Sequence, residues 1–204
     1  MKMKKAALIT GILGAVIIGS SITITQQNEY KLIRQFGKVD RVICEPGISF
    51  KIPLIERTQS LPKETLLYDL EASDVITKDK KTMISDSYVL WRITDPLKFA
   101  QTLNSSLENS ESRINTAVYN ATKNVISSLS QDRVITSRDG ELSDMVMEAI
   151  GDNMEQYGIE LIKFETKQLD LPDDNKAAVY ERMISERDNI AATYKAEGDS
   201  EAKV

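Results

Sequence analysis

The chain begins with a basic stretch followed by a long apolar segment. Residues 6–25 carry no charged side chain, and twenty helical residues rise about 30 Å, roughly the thickness of a bilayer's hydrocarbon core. We therefore predict a transmembrane signal anchor over residues 1–27. Its expected membrane contacts are the large apolar positions, namely Leu8, Ile9, Ile12, Leu13, Val16, Ile17, Ile18, Ile22 and Ile24. The alternative is a cleaved signal peptide, because Lys2, Lys4 and Lys5 form a basic n-region.

Alternation of apolar and polar positions predicts strands beyond this segment. Residues 48–53 have this pattern, residues 29–36 and 65–77 are also predicted to be strands, and Glu45-Pro46-Gly47 predicts a turn between the first two. A further strand places four apolar side chains and two serines on one face: Met83, Ser85, Ser87, Val89, Trp91 and Ile93. Residues 159–171 predict a last strand, with Ile162 and Phe164 on its apolar face.

Helical spacing appears between these last two strands. Asp95-Pro96 predicts the start of a short helix. Apolar residues then recur every three or four positions, first at Ile114, Val118, Ala121, Val125 and Leu129, and then at Leu142, Val146, Ala149 and Ile150. Tyr157-Gly158 predicts the end of the second long helix. Strands, then helices, then a returning strand indicate one mixed α+β domain over residues 28–171.

A final helix is predicted over residues 172–204. Its larger side chains follow steps of three and four, the spacing of a coiled-coil seam, at Tyr180, Met183, Arg187, Ile190 and Tyr194, and all of these except Arg187 are apolar. We expect this face to pack against a partner helix. The alternative is a long surface helix that packs only on its own domain.

Composition argues against most enzyme chemistry. The chain has no histidine and a single cysteine, Cys44, so the commonest general base and metal ligand is missing and no internal disulfide can form. Cys44 is expected to be a packed apolar residue. We predict no catalytic residue, no metal and no cofactor. A net charge of −5 also argues against nucleic-acid binding. A Ser-Lys dyad stays open, because any serine can meet a lysine in the folded chain.

Positive charges flank the apolar segment unevenly and bear on its orientation. Three lysines precede the apolar segment, and residues 26–29 after it carry none, although basic residues follow further on. This pattern leans towards a cytoplasmic N-terminus and a main domain on the outer face.

Several blocks of sequence, in order, resemble one known family. They are the stretches RQFGKV (34–39), EPGISFKIP (45–53), SDSYVLWRITDP (85–96), YGIE (157–160), LDLP (169–172) and YERMISER (180–187). Together they resemble the stomatin–prohibitin–flotillin–HflK/HflC superfamily, also called SPFH or band 7, and within it the bacterial HflC branch.

The resemblance implies a non-enzymatic scaffold of the bacterial plasma membrane. Members of that branch pair with HflK-like proteins in rings or cages around the membrane AAA+ protease FtsH, which they modulate from the outer face. They also continue into a longer Ala/Glu-rich helix, so residues 172–204 are expected to be its truncated start. Two alternatives remain: an outer-face Ser-Lys membrane peptidase, and a lipid-binding organiser of membrane patches without a protease partner.

Overall fold

A computed structural model describes residues 19–137 and 140–201. Eight strands come in the order β1 (Ile22–Thr25), β2 (Glu29–Gln35), β3 (Lys38–Ile43), β4 (Gly47–Phe50), β5 (Glu56–Pro62), β6 (Leu66–Ile76), β7 (Thr82–Ile93) and β8 (Ile159–Asp170). Between β7 and β8 lie α1 (Pro96–Leu103), α2 (Leu107–Ser128), α3 (Gln131–Thr136), α4 (Glu141–Ile150) and a 3₁₀ helix (Gly151–Tyr157), and α5 (Asp173–Glu201) follows β8. The predicted mixed α+β class is confirmed.

Three antiparallel sheets make up the β structure. Strands β1 and β4 form a two-stranded sheet, β3–β2–β5 form a second, and β6–β7–β8 form the third. Strand β7 lies at the centre of the third sheet, and the side chains on one of its faces are all buried, as the alternating pattern predicts. The helices between β7 and β8 pack over this sheet.

The main hydrophobic core joins the second and third sheets to the helices. Leu32 and Leu61 come from the second sheet, Trp91 and Phe164 from the third, and Val118 from α2. These five side chains are at most 2% exposed. Full burial of a large apolar side chain contributes roughly 1.5–3 kcal/mol, so this cluster holds the two larger sheets together.

Two predicted features differ in detail. Ile162 is exposed, unlike Phe164, because the β7–β8 register shifts between Leu90 and Trp91 and leaves Ile162 in a β-bulge. Helix α4 ends at Ile150 instead of continuing to Tyr157, and the 3₁₀ turn carries the chain on to Gly158. Gly158 has φ +70, the left-handed conformation expected of a C-terminal cap.

The leading apolar segment is described only from residue 19. Residues 19–21 are helical, but Ile22 and Ile24 belong to strand β1, so the helix predicted through residue 25 is wrong for its last four positions. The β-branched sequence Ile-Thr-Ile-Thr explains this, because such residues favour extended backbone. The other predicted anchor residues, Leu8 to Ile18, lie outside the described residues. Within residues 19–137 and 140–201, none of the helices combines the length and the apolarity needed to cross a bilayer.

Candidate functional site

The two-stranded sheet has an apolar surface that faces away from the protein. In the β1–β4 register, Ile22 lies opposite Phe50 and Ile24 lies opposite Ile48. Directly opposite residues of an antiparallel pair point to the same side. All four side chains are exposed, by 46% to 69%. We call these four residues the outward apolar face.

The opposite side of β1 is polar and buried. Thr23 is 8% exposed and Thr25 is 2% exposed, and the Thr25 hydroxyl has no hydrogen-bond partner among the described residues. A sheet with one face in water normally turns its apolar side chains inward and its polar ones outward. Strand β1 does the reverse, which makes its outer side a candidate contact surface.

Apolar exposure continues along the chain after β4. Phe50 is followed by exposed Ile52, Leu54 and Ile55, and Leu54 is fully exposed. Phe36, in the turn between β2 and β3, is 87% exposed. At roughly 150 Å² per fully exposed large side chain, these four and the outward apolar face together present on the order of 800 Å² of apolar surface. Because soluble monomers seldom expose contiguous apolar patches beyond roughly 300–600 Å², these eight exposed side chains are a candidate contact surface.

Hydrogen bonds hold this surface in place. The backbone N–H of Lys51 donates to the Ser21 carbonyl at 2.8 Å, which joins the end of β4 to the beginning of β1. The buried Glu56 carboxylate accepts the N–H of Ile52 at 2.8 Å and a guanidinium N–H of Arg41 at 3.3 Å. Arg41 also donates to the Phe50 carbonyl. Glu56 therefore fixes the loop that carries Ile52 and Leu54.

A second ionic group ties β1 to β2. The Lys31 ammonium donates to the Ile24 carbonyl at 2.5 Å and pairs with Glu29 at 2.9 Å. The Gln26 N–H also donates to the Glu29 carboxylate at 2.9 Å. These contacts, first the Gln26 N–H and then Lys31, lower the pKa of Glu29 to about 2. Glu29 is therefore ionised at neutral pH and orients the lysine that holds β1.

The side chains of the predicted seam on the last helix are exposed. Tyr180, Met183, Ile190 and Tyr194 are 40% to 70% exposed, and Arg187 is exposed as well. Their spacing places them on one side of α5. The described side chains on the other sides of α5, over residues 181–198, are exposed as well, so exposure does not single out the seam, and both the partner helix and the long surface helix remain predictions. What covers the seam stays a prediction.

Four of the serines that could in principle enter a Ser-Lys dyad have structural surroundings. The Ser127 and Ser128 hydroxyls donate to the backbone carbonyls of Ile76 and Val125. Ser85 and Ser87 are buried in the face of β7. Cys44 is exposed, so the expectation of a packed thiol is wrong. The residue follows the end of β3 and precedes the predicted turn, where no sheet covers it.

Comparison with known proteins adds the family. Residues 23–200 match the family described as SPFH domain / Band 7. The chain belongs to this family. The resemblance stated from the sequence blocks is thereby confirmed, and the three sheets with their covering helices are this chain's SPFH domain.

Several relatives of this SPFH chain are named HflC. It is 29% identical to Protein HflC of Haemophilus influenzae, with 92% of this chain and 67% of the relative covered. It is 28% identical to Protein HflC of Buchnera aphidicola from Schizaphis graminum, over 92% and 68%. It is 25% identical to the Modulator of FtsH protease HflC of Escherichia coli K12, over 98% and 74%.

Sequence reasoning missed most of the exposed apolar surface of this SPFH domain. Phe36 and Leu54 were not singled out, because isolated apolar residues in turns carry no periodic signal. One signal was available: Phe36 precedes Gly37 in a two-residue hairpin turn, where the first position normally favours Asn, Asp or Gly. A phenylalanine is not favoured by the backbone of such a turn, so its presence indicates that the side chain contacts another molecule.

Proposed function

We propose that this SPFH chain is a non-enzymatic, HflC-like scaffold of the bacterial plasma membrane. In this proposal the apolar leading segment anchors the chain with its N-terminus in the cytoplasm, and the main domain lies on the outer face. The observation that carries the proposal is the reversed polarity of β1, with isoleucines outside and threonines inside. The outward apolar face follows the leading segment directly, so it lies against the same bilayer.

The scaffold role is proposed because the domain exposes apolar surfaces, and because the described residues form no group of side chains that could hold a metal ion. The exposed seam of α5 supports side-by-side assembly with an HflK-like partner into a ring or cage. The name of the Escherichia coli relative, a modulator of FtsH protease, supports FtsH as the enzyme whose activity such an assembly would control. We therefore infer that this chain regulates proteolysis without performing it.

Co-purification from membranes tests the assembly. The full chain is co-expressed with an HflK-like protein and FtsH from the same bacterium, extracted in mild detergent and isolated by a tag. Both partners are expected in one large complex. The seam variant Met183→Asp/Ile190→Asp is expected to reduce recovery of the HflK-like partner strongly, because each aspartate puts a charge into an apolar contact.

A matched control uses the other side of the same helix. Ser185→Asp/Ala192→Asp adds the same two charges about half a turn away, and it is expected to leave recovery unchanged. If neither partner is recovered with the unmodified chain, the protease-modulator role is wrong. A chain that stays in membranes without either partner would instead favour the organiser of membrane patches.

A further inference from the structure

A cavity opens at the end of the β3–β2–β5 sheet, beside the exposed apolar surface. Its volume is about 390 Å³, and its lining consists of Arg34, Phe36, Gly37, Leu54, Ile55 and Arg57. We call it the arginine pocket. Strands β2 and β5 bring these residues together. Gln35 and Glu56 are the last pair of residues in the β2–β5 register, and both strands end there.

Two like charges face each other in this pocket. Arg34 and Arg57 are direct partners in the β2–β5 register, so both side chains point to one side of the sheet. Directly opposed like charges destabilise a strand pair. No carboxylate within the described part of the chain forms an ion pair with either arginine. The neighbouring Glu56 is already engaged by Ile52 and Arg41.

The Arg34 guanidinium is oriented but not saturated. One terminal N–H group donates to the Ser105 hydroxyl at 2.8 Å, and Ser105 is itself held through its carbonyl by Gln59 at 3.3 Å. The Arg34 Nε is buried and has no hydrogen-bond partner among the described residues. Arg57 is exposed, and its side chain makes no hydrogen bond within that part of the chain. Both arginines line the same cavity, where Arg57 and the remaining terminal N–H groups of Arg34 can donate, and paired guanidinium groups suit a phosphate.

The apolar walls of the pocket show which kind of phosphate fits. Phe36 has φ +50 and Leu54 has φ +75, and both side chains point into solvent. Left-handed backbone costs a non-glycine residue roughly 1–2 kcal/mol. This strained display of two large apolar residues, flanking two arginines, suits a ligand with a charged head and apolar tails.

We propose that the arginine pocket binds the phosphate group of a membrane phospholipid, with the acyl chains along Phe36 and Leu54. The inference rests on the proposed membrane position of the domain. Local charge agrees with it: residues 19–57 contain six Lys and Arg against four Asp and Glu, in a chain with a net charge of −5. Lipids without a cationic headgroup are expected to bind best, since a headgroup cation would meet the arginines.

Native mass spectrometry of the full chain measures this binding. The protein is released from dodecyl maltoside micelles that contain dioleoylphosphatidylglycerol, and the fraction carrying one retained lipid is determined. Each arginine near a lipid phosphate contributes roughly 1 kcal/mol, so Arg34→Gln/Arg57→Gln is expected to bind about thirty-fold more weakly. Lys123→Gln, an exposed position on α2, is the single-charge control and is expected to match the unmodified chain.

A second variant separates binding from folding. Arg57→Glu places a carboxylate opposite Arg34, so it replaces repulsion with a cross-strand ion pair. Its thermal stability in lipid-free micelles is expected to equal or exceed that of the unmodified chain, while lipid retention is lost. Unchanged lipid retention in either arginine variant would overturn the proposal. Equal retention of dioleoylphosphatidylcholine and dioleoylphosphatidylglycerol by the unmodified chain would overturn it as well.

Competition with free phosphate and membrane fractionation complete the experiment. Inorganic phosphate in millimolar excess is expected to leave the retained lipid in place, because it lacks acyl chains; full displacement would make the pocket a free-phosphate site and overturn the lipid assignment.

Membrane fractionation of the same variants tests the proposed function separately. A chain that stays in membranes but shows no arginine-dependent retention refutes the pocket alone, whereas a chain absent from membranes refutes the scaffold proposal.

Discussion

Replacing Ile24 and Ile48 by serine removes one of the two cross-strand pairs of the outward apolar face and leaves the buried core intact. The two residues are direct cross-strand partners and are 63% and 69% exposed. Full burial of an isoleucine contributes roughly 1.5–3 kcal/mol, so lipid contact through these exposed fractions contributes about 1–2 kcal/mol each. In the proposed membrane position, the pair together is therefore expected to favour lipid contact of the face by about 3 kcal/mol, which corresponds to roughly a hundred-fold shift in population.

A fluorescent probe on the neighbouring loop reports this shift. Cys44 is the only cysteine, so Cys44→Ser gives a background in which Leu54→Cys can be labelled with bimane. The full chain is reconstituted in vesicles containing lipids with bromine on the upper acyl chain. Strong quenching is expected with both isoleucines present and weak quenching in Ile24→Ser/Ile48→Ser.

A probe at Lys123→Cys on α2 serves as the control and is expected to show little quenching in either background. The reasoning is refuted if the Leu54 probe is quenched no more than the Lys123 probe, or if the serine pair leaves its quenching unchanged. Unfolding in lipid-free micelles provides the second control. Exposed substitutions usually change stability by less than about 0.5 kcal/mol, so the serine variant is expected to unfold like the unmodified chain.

Three further predictions concern the domain itself, each measured by urea unfolding in micelles with Trp91 fluorescence. Gly158→Ala is expected to lower the free energy of unfolding by at least about 2 kcal/mol, because a Cβ there would lie 2.3 Å from the Asp95 carbonyl oxygen and φ is +70. Gly37→Ala is the control, since φ there is +86 but nothing lies within 4 Å of the added Cβ, and it is expected to lower that free energy by about 1 kcal/mol. Equal losses in the two variants would contradict the role of the close contact. Phe164→Ala, which empties a fully buried position, is expected to cost about 3–5 kcal/mol, and a loss under about 1 kcal/mol would show that this core is not packed as described. Glu29→Gln is expected to cost about 1 kcal/mol at neutral pH after solvent screening. The pKa of Glu29 in the folded chain, about 2, lies below the ordinary value of 4.5, so this stabilisation is complete above about pH 4.5 and is lost as the pH falls towards 2. The unfolding free energies of the two proteins should therefore converge near pH 2. A difference that is independent of pH would exclude the carboxylate as its cause.

Much of the third sheet and its helices could be predicted from the sequence. The buried face of β7 repeats every second residue, and the stripe of α2 repeats every three or four, because each of these elements has one side in the core. Strands β3 and β5 were not predicted, since their partly exposed, charged sequences lack a continuous apolar side. The bulge at Ile162 depends on pairing with β7, which a pattern within one strand cannot reveal.

The candidate site was harder to predict than the fold. Composition made Ile22 and Ile24 look like the end of a helix, although their alternation with Thr23 and Thr25 was the signal for a strand. The arginine pocket needs the register that places Arg34 opposite Arg57, and twenty-two residues separate the two along the chain. The reversed polarity of β1 becomes visible only when burial is known, because the sequence cannot say which side of an isolated two-stranded sheet faces outward.

The direct junction between the leading segment and the domain has a consequence for assembly. Residues 19–21 are helical, β1 begins at the next residue, and the Ser21 carbonyl is bonded to β4. In the proposed anchored position, a domain that begins immediately after the leading segment would have no free tether, which would restrict its height and tilt. Neighbouring anchored copies would then lose mainly lateral diffusion and rotation about the membrane normal when they associate. Much of the translational and rotational entropy that association costs in solution would already have been lost, so weak lateral contacts would suffice for the proposed ring.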